Sequence, residues 1–148
     1  METKFASHCS HKIRYHMVLC VKYRKQLLRD RGRIAKLAQT IKEIGKAYWF
    51  ETDEIGTDGD HVHLFIGAAP RYSPSNVMQI VKSISAKEMF KAFPELRKQL
   101  WAHEFWSDGG YIGTVGDQAN AEIVRKYIQE QGEHEEKTLS KQLKLFKL

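Results

Sequence analysis

The sequence predicts an α+β fold of the ferredoxin-like, split βαβ kind: an antiparallel sheet with two helices on one face, plus a C-terminal helix carrying a tyrosine. Three observations predict it. Apolar residues alternate along Ile13 to Val21 and again along His61 to Gly67. Three- and four-residue spacing takes over after each of those stretches, and a glycine-bounded strand, Trp106 to Val115, precedes a last amphipathic run. The order is β-α-β-β-α-β followed by a helix, which leaves the second face of the sheet free for a site.

In the first strand, Ile13, Tyr15, Met17, Leu19 and Val21 fall on one side, with Arg14 and His16 on the other. The basic group Lys22-Tyr23-Arg24-Lys25 follows. Ile34, Leu37, Ala38, Ile41, Ile44 and Tyr48 then recur as the stripe of an amphipathic helix expected to end near Gly45 or Lys46. Tyr48 to Ile55 is rich in aromatic and β-branched residues, Gly56 to Asp60 in turn formers, and His61 to Gly67 is again strand-like, which reads as a hairpin. Ser73-Pro74 has the form of an N-cap followed by proline in the first turn. Val77, Ile80, Val81 and Ile84 continue that helix through Met89 and Phe90, and Pro94 lies just past its end. In the fourth strand, Tyr111, Ile112, Thr114 and Val115 sit between glycines, and Asp117 is expected to cap a helix running to Gly132.

The 148 residues are enough for one domain with a single core: 11–116 as the ferredoxin-like unit, 117–132 as the last helix and 133–148 as a charged and then amphipathic tail. Lys plus Arg outnumber Asp plus Glu by 24 to 18, for a formal charge of +6 and a pI near 9.3, so polyanions are plausible partners. No apolar run is long enough to span a membrane, and METKFASHCSHKIRYH lacks a secretory pattern, so a cytoplasmic protein is expected. Cys9 and Cys20 are isolated and read as reduced thiols, Cys20 in a strand and Cys9 in a mobile N-terminus. His8, Cys9 and His11 read as a solvated segment rather than a metal cluster.

The stretch DGDHVHLFI carries the chemistry. Strand alternation puts His61, His63 and Phe65 on one face and Val62, Leu64 and Ile66 on the face packed against the helices. The two imidazoles stand about 7 Å apart at their Cα atoms, within reach of one cation. Asp58 or Asp60 can orient a ring by accepting its second N–H, and the sequence leaves open which one does. The last helix places Tyr127 and Gln131 one turn apart on one face, beside an apolar stripe of Val124 and Ile128. If that face lies over the sheet, the Gln131 amide oxygen completes a metal site begun by His61 and His63, and Tyr127 stands beside a bound phosphate as a nucleophile. A phenol with a reference pKa near 10 needs a cation or basic neighbours to act so.

KYRK, DGDHVHLFI, YSPSNVMQIVKSISAK, FWSDGGYIGTVG and YIQEQ together resemble the single-tyrosine HUH transposases of small bacterial and archaeal insertion sequences, over nearly the whole chain. The resemblance implies a Mg²⁺ or Mn²⁺ ion held by His61, His63 and Gln131, and a Tyr127 that cleaves single-stranded DNA to a 5′-phosphotyrosine and a free 3′-OH. Because the covalent link retains the phosphoester energy, it implies no nucleotide cofactor. It also implies hairpin recognition at the element ends, and a homodimer in which the tyrosine helix of one subunit completes the site of the other. Phosphate contacts expected on such a surface are Arg14, Lys22, Arg24, Lys25, Arg71, Lys82 and Lys87.

A histidine-triad nucleotide hydrolase needs a third alternating histidine, where this chain has Phe65. A related HUH nuclease, such as a replication initiator, a relaxase or a domesticated enzyme for repeated hairpins, shares the expected chemistry. A non-catalytic nucleic-acid-binding module needs neither metal nor Tyr127.

Overall fold

The alternating stretches pair into one antiparallel sheet. The structure is a computed structural model that describes residues 4–6, 9–11, 13–101, 104–115 and 118–130. Strands β1 (Lys4–Ala6) and β2 (Cys9–His11) form a separate two-stranded ribbon, so the segment expected to be mobile around Cys9 is paired backbone. The main sheet contains β3 (Arg14–Cys20), β4 (Glu51–Asp58), β5 (His61–Gly67) and β6 (Tyr111–Thr114) in the order β4-β5-β3-β6, every neighbouring pair antiparallel. Helix α1 (Arg31–Tyr48) joins β3 to β4, and α2 (Pro74–Ala92) joins β5 to β6. This is the expected split βαβ arrangement. A four-residue helix α3 (Leu96–Gln99), too short to leave a periodic signal, and α4 (Gln118–Glu130) complete the described elements.

The core lies between the sheet and the two long helices. Met17, Leu19, Val62, Leu64 and Ile66 meet Leu37 and Ile41 of α1 and Val77, Val81 and Met89 of α2, all fully buried. Each such side chain contributes about 1.5–3 kcal/mol relative to exposure. Both helices start on side-chain caps: Asp30 Oδ2 accepts from the Arg33 N–H at 2.9 Å, and Ser73 Oγ from the Asn76 N–H at 3.1 Å.

Several boundaries differ from expectation, the last strand's among them: β6 covers Tyr111–Thr114 and not the expected Trp106 to Val115, because the carbonyls of 107–109 turn to the Lys82 ammonium instead of joining the sheet. Helix α1 does not stop at Gly45 but runs to Tyr48 and ends on Trp49 in a left-handed conformation. Gly45 is instead a point of close approach: a Cβ there would lie 2.9 Å from the Phe50 carbonyl oxygen, where the chain folds back into β4. The β4–β5 turn is also tighter than expected, because β4 continues through Asp58 and leaves Gly59 and Asp60 to reverse the chain. Gly59 sits at φ 57°, a region that costs other residues strain.

Helix α2 also pins the approach to β6. Ser85 Oγ accepts a hydrogen bond from Trp106 Nε1 at 2.9 Å. Lys82 Nζ donates to the carbonyls of Ser107 (2.9 Å), Asp108 (3.3 Å) and Gly109 (2.7 Å). No helix among the described residues is long and apolar enough to cross a membrane.

Candidate active site

The register of β5 sets out the site. His61 lies opposite Cys20 of β3 and Asp58 of β4, His63 opposite Val18 and Gly56, and Phe65 opposite His16 and Glu54. Directly opposed residues share a face of the sheet, so these side chains line the side away from α1 and α2. Val62, Leu64 and Ile66 belong to the main core, as the alternation requires.

That second face is covered rather than free. Helix α4 lies over β4 and β5: Ile128 is buried against Phe65, and the Arg125 guanidinium stacks 5.6 Å from the centre of the Phe65 ring. Arg125 Nε and Nη2 both donate to Asp53 Oδ2, and Gln129 Nε2 donates to Glu54 Oε1 at 2.8 Å. Consecutive strand residues normally point to opposite faces. Here the register shifts between Thr52 and Glu54, and the bulge lets both Asp53 and Glu54 reach the same helix. Tyr127 of this cover meets His16 edge-on, and His16, expected on an open face, is 2% exposed; Arg14, expected there too, is 3% exposed.

Docking α4 brings Tyr127 to the histidines of its own chain. The Tyr127 ring meets the His63 ring edge-on with centroids 5.5 Å apart, and the His61 and His63 rings are 5.2 Å apart. Each histidine has an assigned partner on Nδ1. His61 Nδ1 donates to Asp60 Oδ1 at 2.6 Å, which makes Asp60 an orienting acid. His63 Nδ1 lies 3.0 Å from His16 Nε2. The buried His63 Nε2 has no hydrogen-bond partner among the described residues.

Asp60 is itself held by Arg24, whose Nε donates to Oδ2 at 2.9 Å. The KYRK segment achieves this by a left-handed turn, with Tyr23 at φ 60° and Arg24 at φ 54°. The Val21 N–H bonds the Asp60 carbonyl at 2.7 Å and the Leu28 N–H bonds the Gly59 carbonyl at 2.7 Å, so the segment lies along the turn that precedes His61. Left-handed conformations at two non-glycine residues cost about 1–3 kcal/mol each, offset in part by these bonds.

Burial shapes the electrostatics. It lowers His63 well below the ordinary imidazole range, with the neighbouring His16 and His61 adding to the effect, and lowers His16 to about 4. Both rings are therefore neutral at physiological pH, the state in which imidazole is a ligand. Burial pushes the Asp60 carboxyl up, but hydrogen bonds from His61 and Arg24 outweigh it and hold the group below its usual range. Burial, with the negative charge of Asp58 adding, raises the Tyr127 phenol to about 12.

A divalent cation fits this donor set on one observation above all, the partnerless and buried His63 Nε2. With Asp60 on Nδ1 of His61, coordination falls to Nε2 of that ring as well. Among the described residues no group of three or more His, Cys, Asp or Glu converges on a metal position. Gln131, expected as the third ligand, lies outside the described residues, as does Asp117.

The seven expected phosphate contacts divide. Arg14 is buried, and Lys82 is engaged by three backbone carbonyls. Arg24 bonds Asp60, and Lys22 bonds Glu104 at 2.8 Å. Lys25 lies over Trp101, and Arg71 stacks on Tyr72. Lys87 is exposed on α2. Reading the sequence missed His16 as a member of the site. The available signal was its place on the non-core side of β3, the same side as the histidine pair.

Comparison with known proteins shows the family. The family described as "Transposase IS200 like" matches residues 9–131. The chain belongs to the IS200-like transposase family. The chain is 33% identical to the ISDra2 transposase TnpA of Deinococcus radiodurans over 84% of this IS200-like transposase and 88% of that protein. It is 27% identical to the transposase for insertion sequence element IS200 of Salmonella typhimurium, over 90% and 86% respectively. A crystal structure of a Deinococcus radiodurans R1 protein described as a transposase superposes with a TM-score of 0.69 at 30% identity, covering 86% of this chain and 97% of that one. A REP-associated tyrosine transposase bound to a REP hairpin shares the fold, with a TM-score of 0.59 at 13% identity over 87% of this chain and 72% of that one. The IS200-like assignment makes this a DNA transposition enzyme.

Proposed function

We propose that this transposase cleaves and rejoins single-stranded DNA at element ends through Tyr127, with Mg²⁺ or Mn²⁺ held by His61, His63 and Gln131. The observation that carries the reading is the edge-on contact of Tyr127 with His63, whose Nε2 is buried and without a partner among the described residues.

The phenol, pushed up to about 12, is protonated at rest. In cleavage its oxygen bonds to the scissile phosphorus as its proton leaves, the P–O3′ bond breaks, and the 3′ oxygen takes up a proton to leave as a 3′-OH. Rejoining is the reverse with another 3′-OH as nucleophile, which returns Tyr127 as the free phenol. A bound divalent cation supplies positive charge that polarises the phosphate and stabilises the charge developing in transfer. Asp60 and His16 hold the two imidazoles, and the docked α4 holds Tyr127 against them. No nucleotide cofactor enters, because the phosphotyrosine conserves the phosphoester.

The DNA partner in this reading is a hairpin, supported by the REP hairpin bound to the structural neighbour and by exposed Lys25, Arg71 and Lys87 near aromatic side chains or on open helix surface. The reading includes a homodimer, as the resemblance implies, but not the exchange of tyrosine helices between subunits, because Tyr127 lies against His63 of its own chain. Incubation of the purified protein with Mn²⁺ and single-stranded hairpin DNA carrying the flanking cleavage site tests it. An adduct that survives denaturation and is lost in Tyr127→Phe is expected. The same adduct in Tyr127→Phe overturns the assignment of the nucleophile, and hairpin binding with no adduct under any divalent cation leaves a binding module.

A further inference from the structure

The hydrogen bond between His16 and His63 is an unusual way to orient a metal-binding imidazole, because the partner on Nδ1 is another imidazole rather than a carboxylate or a carbonyl. An imidazole can accept or donate here, so the pairing has two tautomeric forms, and they differ in what they leave on His63 Nε2. If His16 donates, the proton of His63 lies on Nε2. That would block coordination there. If His63 donates from Nδ1, its Nε2 carries a lone pair.

The surroundings hold the His16 ring in place. It lies nearly parallel to that of His63, with centroids 5.2 Å apart and planes 20° apart. Tyr111 of β6 meets it edge-on at 5.8 Å, and Tyr127 of α4 meets it edge-on at 6.5 Å. Directly opposite on β6 is Gly113, where a side chain would run into the Tyr111 ring that flanks His16. His16 is therefore fixed from three sides: by β5, β6 and α4.

We propose that His16 is a positioning residue that accepts the Nδ1 proton of His63, sets that ring's tautomer and so keeps Nε2 available to a divalent cation. This rests on the reading of His61 and His63 as metal ligands. It makes the site two parallel arms, Asp60 on His61 and His16 on His63, with the second arm uncharged. A neutral second arm leaves the net charge around the cation more positive than a carboxylate pair would, which suits an ion that must also take a phosphate oxygen.

The test pairs His16→Phe, which keeps an aromatic ring but removes the acceptor, with His16→Gln, which restores an acceptor able to reach His63. Mn²⁺ affinity by titration calorimetry is expected to fall about 10–100-fold in His16→Phe and to recover most of that loss in His16→Gln. Nitrogen-15 spectra of the metal-free protein should show His63 protonated on Nδ1 in wild type and His16→Gln, and a shift toward the Nε2–H form in His16→Phe. Circular dichroism checks that both variants are folded, and hairpin affinity without metal should be unchanged. Wild-type Mn²⁺ binding that depends on His63 but is equally tight in His16→Phe overturns the role of His16 and leaves the metal site standing. Wild-type protein that binds no Mn²⁺, or binds it equally after His63→Ala, overturns both. Three imidazole nitrogens in the Mn²⁺ electron spin-echo spectrum would make His16 a ligand and overturn the positioning role.

Discussion

Asp60 Oδ1 accepts a hydrogen bond from His61 Nδ1 at 2.6 Å while the other oxygen of the same carboxylate accepts from Arg24. The KYRK turn and the DGDHVHLFI strand, separated by more than thirty residues in sequence, are thus one unit. Removing the carboxylate frees the His61 ring to rotate and lets its proton redistribute. Asp60→Ala should weaken Mn²⁺ binding about 10–100-fold with little change in metal-free hairpin affinity. Arg24→Ala, whose side chain is 57% exposed and so screened, should cost only a few-fold. Calorimetric titration with Mn²⁺ separates the two, and equal large losses would show that the arginine matters through the fold of the turn.

The Arg125–Asp53 pair and the Arg125–Phe65 stack dock α4, so their strength sets how firmly Tyr127 is held in its own chain's site. Arg125→Ala should raise amide hydrogen exchange across 123–130, by an opening free energy about 1 kcal/mol smaller. The exchanged pair Arg125→Asp with Asp53→Arg should recover part of the protection that either reversal alone removes. No recovery would indicate that the stack on Phe65, not the ion pair, holds the helix.

The strand with DGDHVHLFI was legible because period-two alternation assigns every residue from His61 to Ile66 to a face, and both faces turned out as the alternation requires. The capped start of α2 was legible because Ser73-Pro74 is a local chemical signal. What was not legible depended on contacts distant in sequence. His16 looks like a residue of an open face until Tyr127 of α4 comes to rest against it. Gly45 looks like a helix stop until the Phe50 carbonyl comes to rest against it. Lys82 looks like a surface cation until the carbonyls of 107–109 close around it. Periodicity reports which side a residue faces, not what will later be packed there.

Metal addition should act on stability as well as on chemistry. The partnerless Nε2 of His63 gives the folded state a ligand position that the unfolded chain lacks, so Mn²⁺ at a hundred times its Kd should add about 2.7 kcal/mol. A thermal melt with and without Mn²⁺ should show the rise, and a chelator should reverse it without unfolding the protein. His63→Ala should abolish the rise. An equal rise in that variant would place the stabilising ion elsewhere.

Lys82 separates a structural cation from a DNA-binding one. Its ammonium is shared among the carbonyls of Ser107, Asp108 and Gly109, and burial lowers its pKa, so it holds the approach to β6 and has little left to offer a phosphate. Lys82→Met keeps the aliphatic stem and leaves those carbonyls to water. It should destabilise by about 1–2 kcal/mol, seen as a fall in Tm of about 3–8 °C. The affinity of hairpin DNA and its salt dependence should barely change, because losing one phosphate contact lowers the slope of log K against log salt by about 0.7–0.9. Lys87→Met, on the open surface of the same helix, supplies the contrast: Tm should hold, and if Lys87 does contact phosphate the slope should fall. A loss of slope in Lys82→Met with Tm unchanged would show that the clasp opens when DNA binds and that Lys82 belongs to the DNA surface after all.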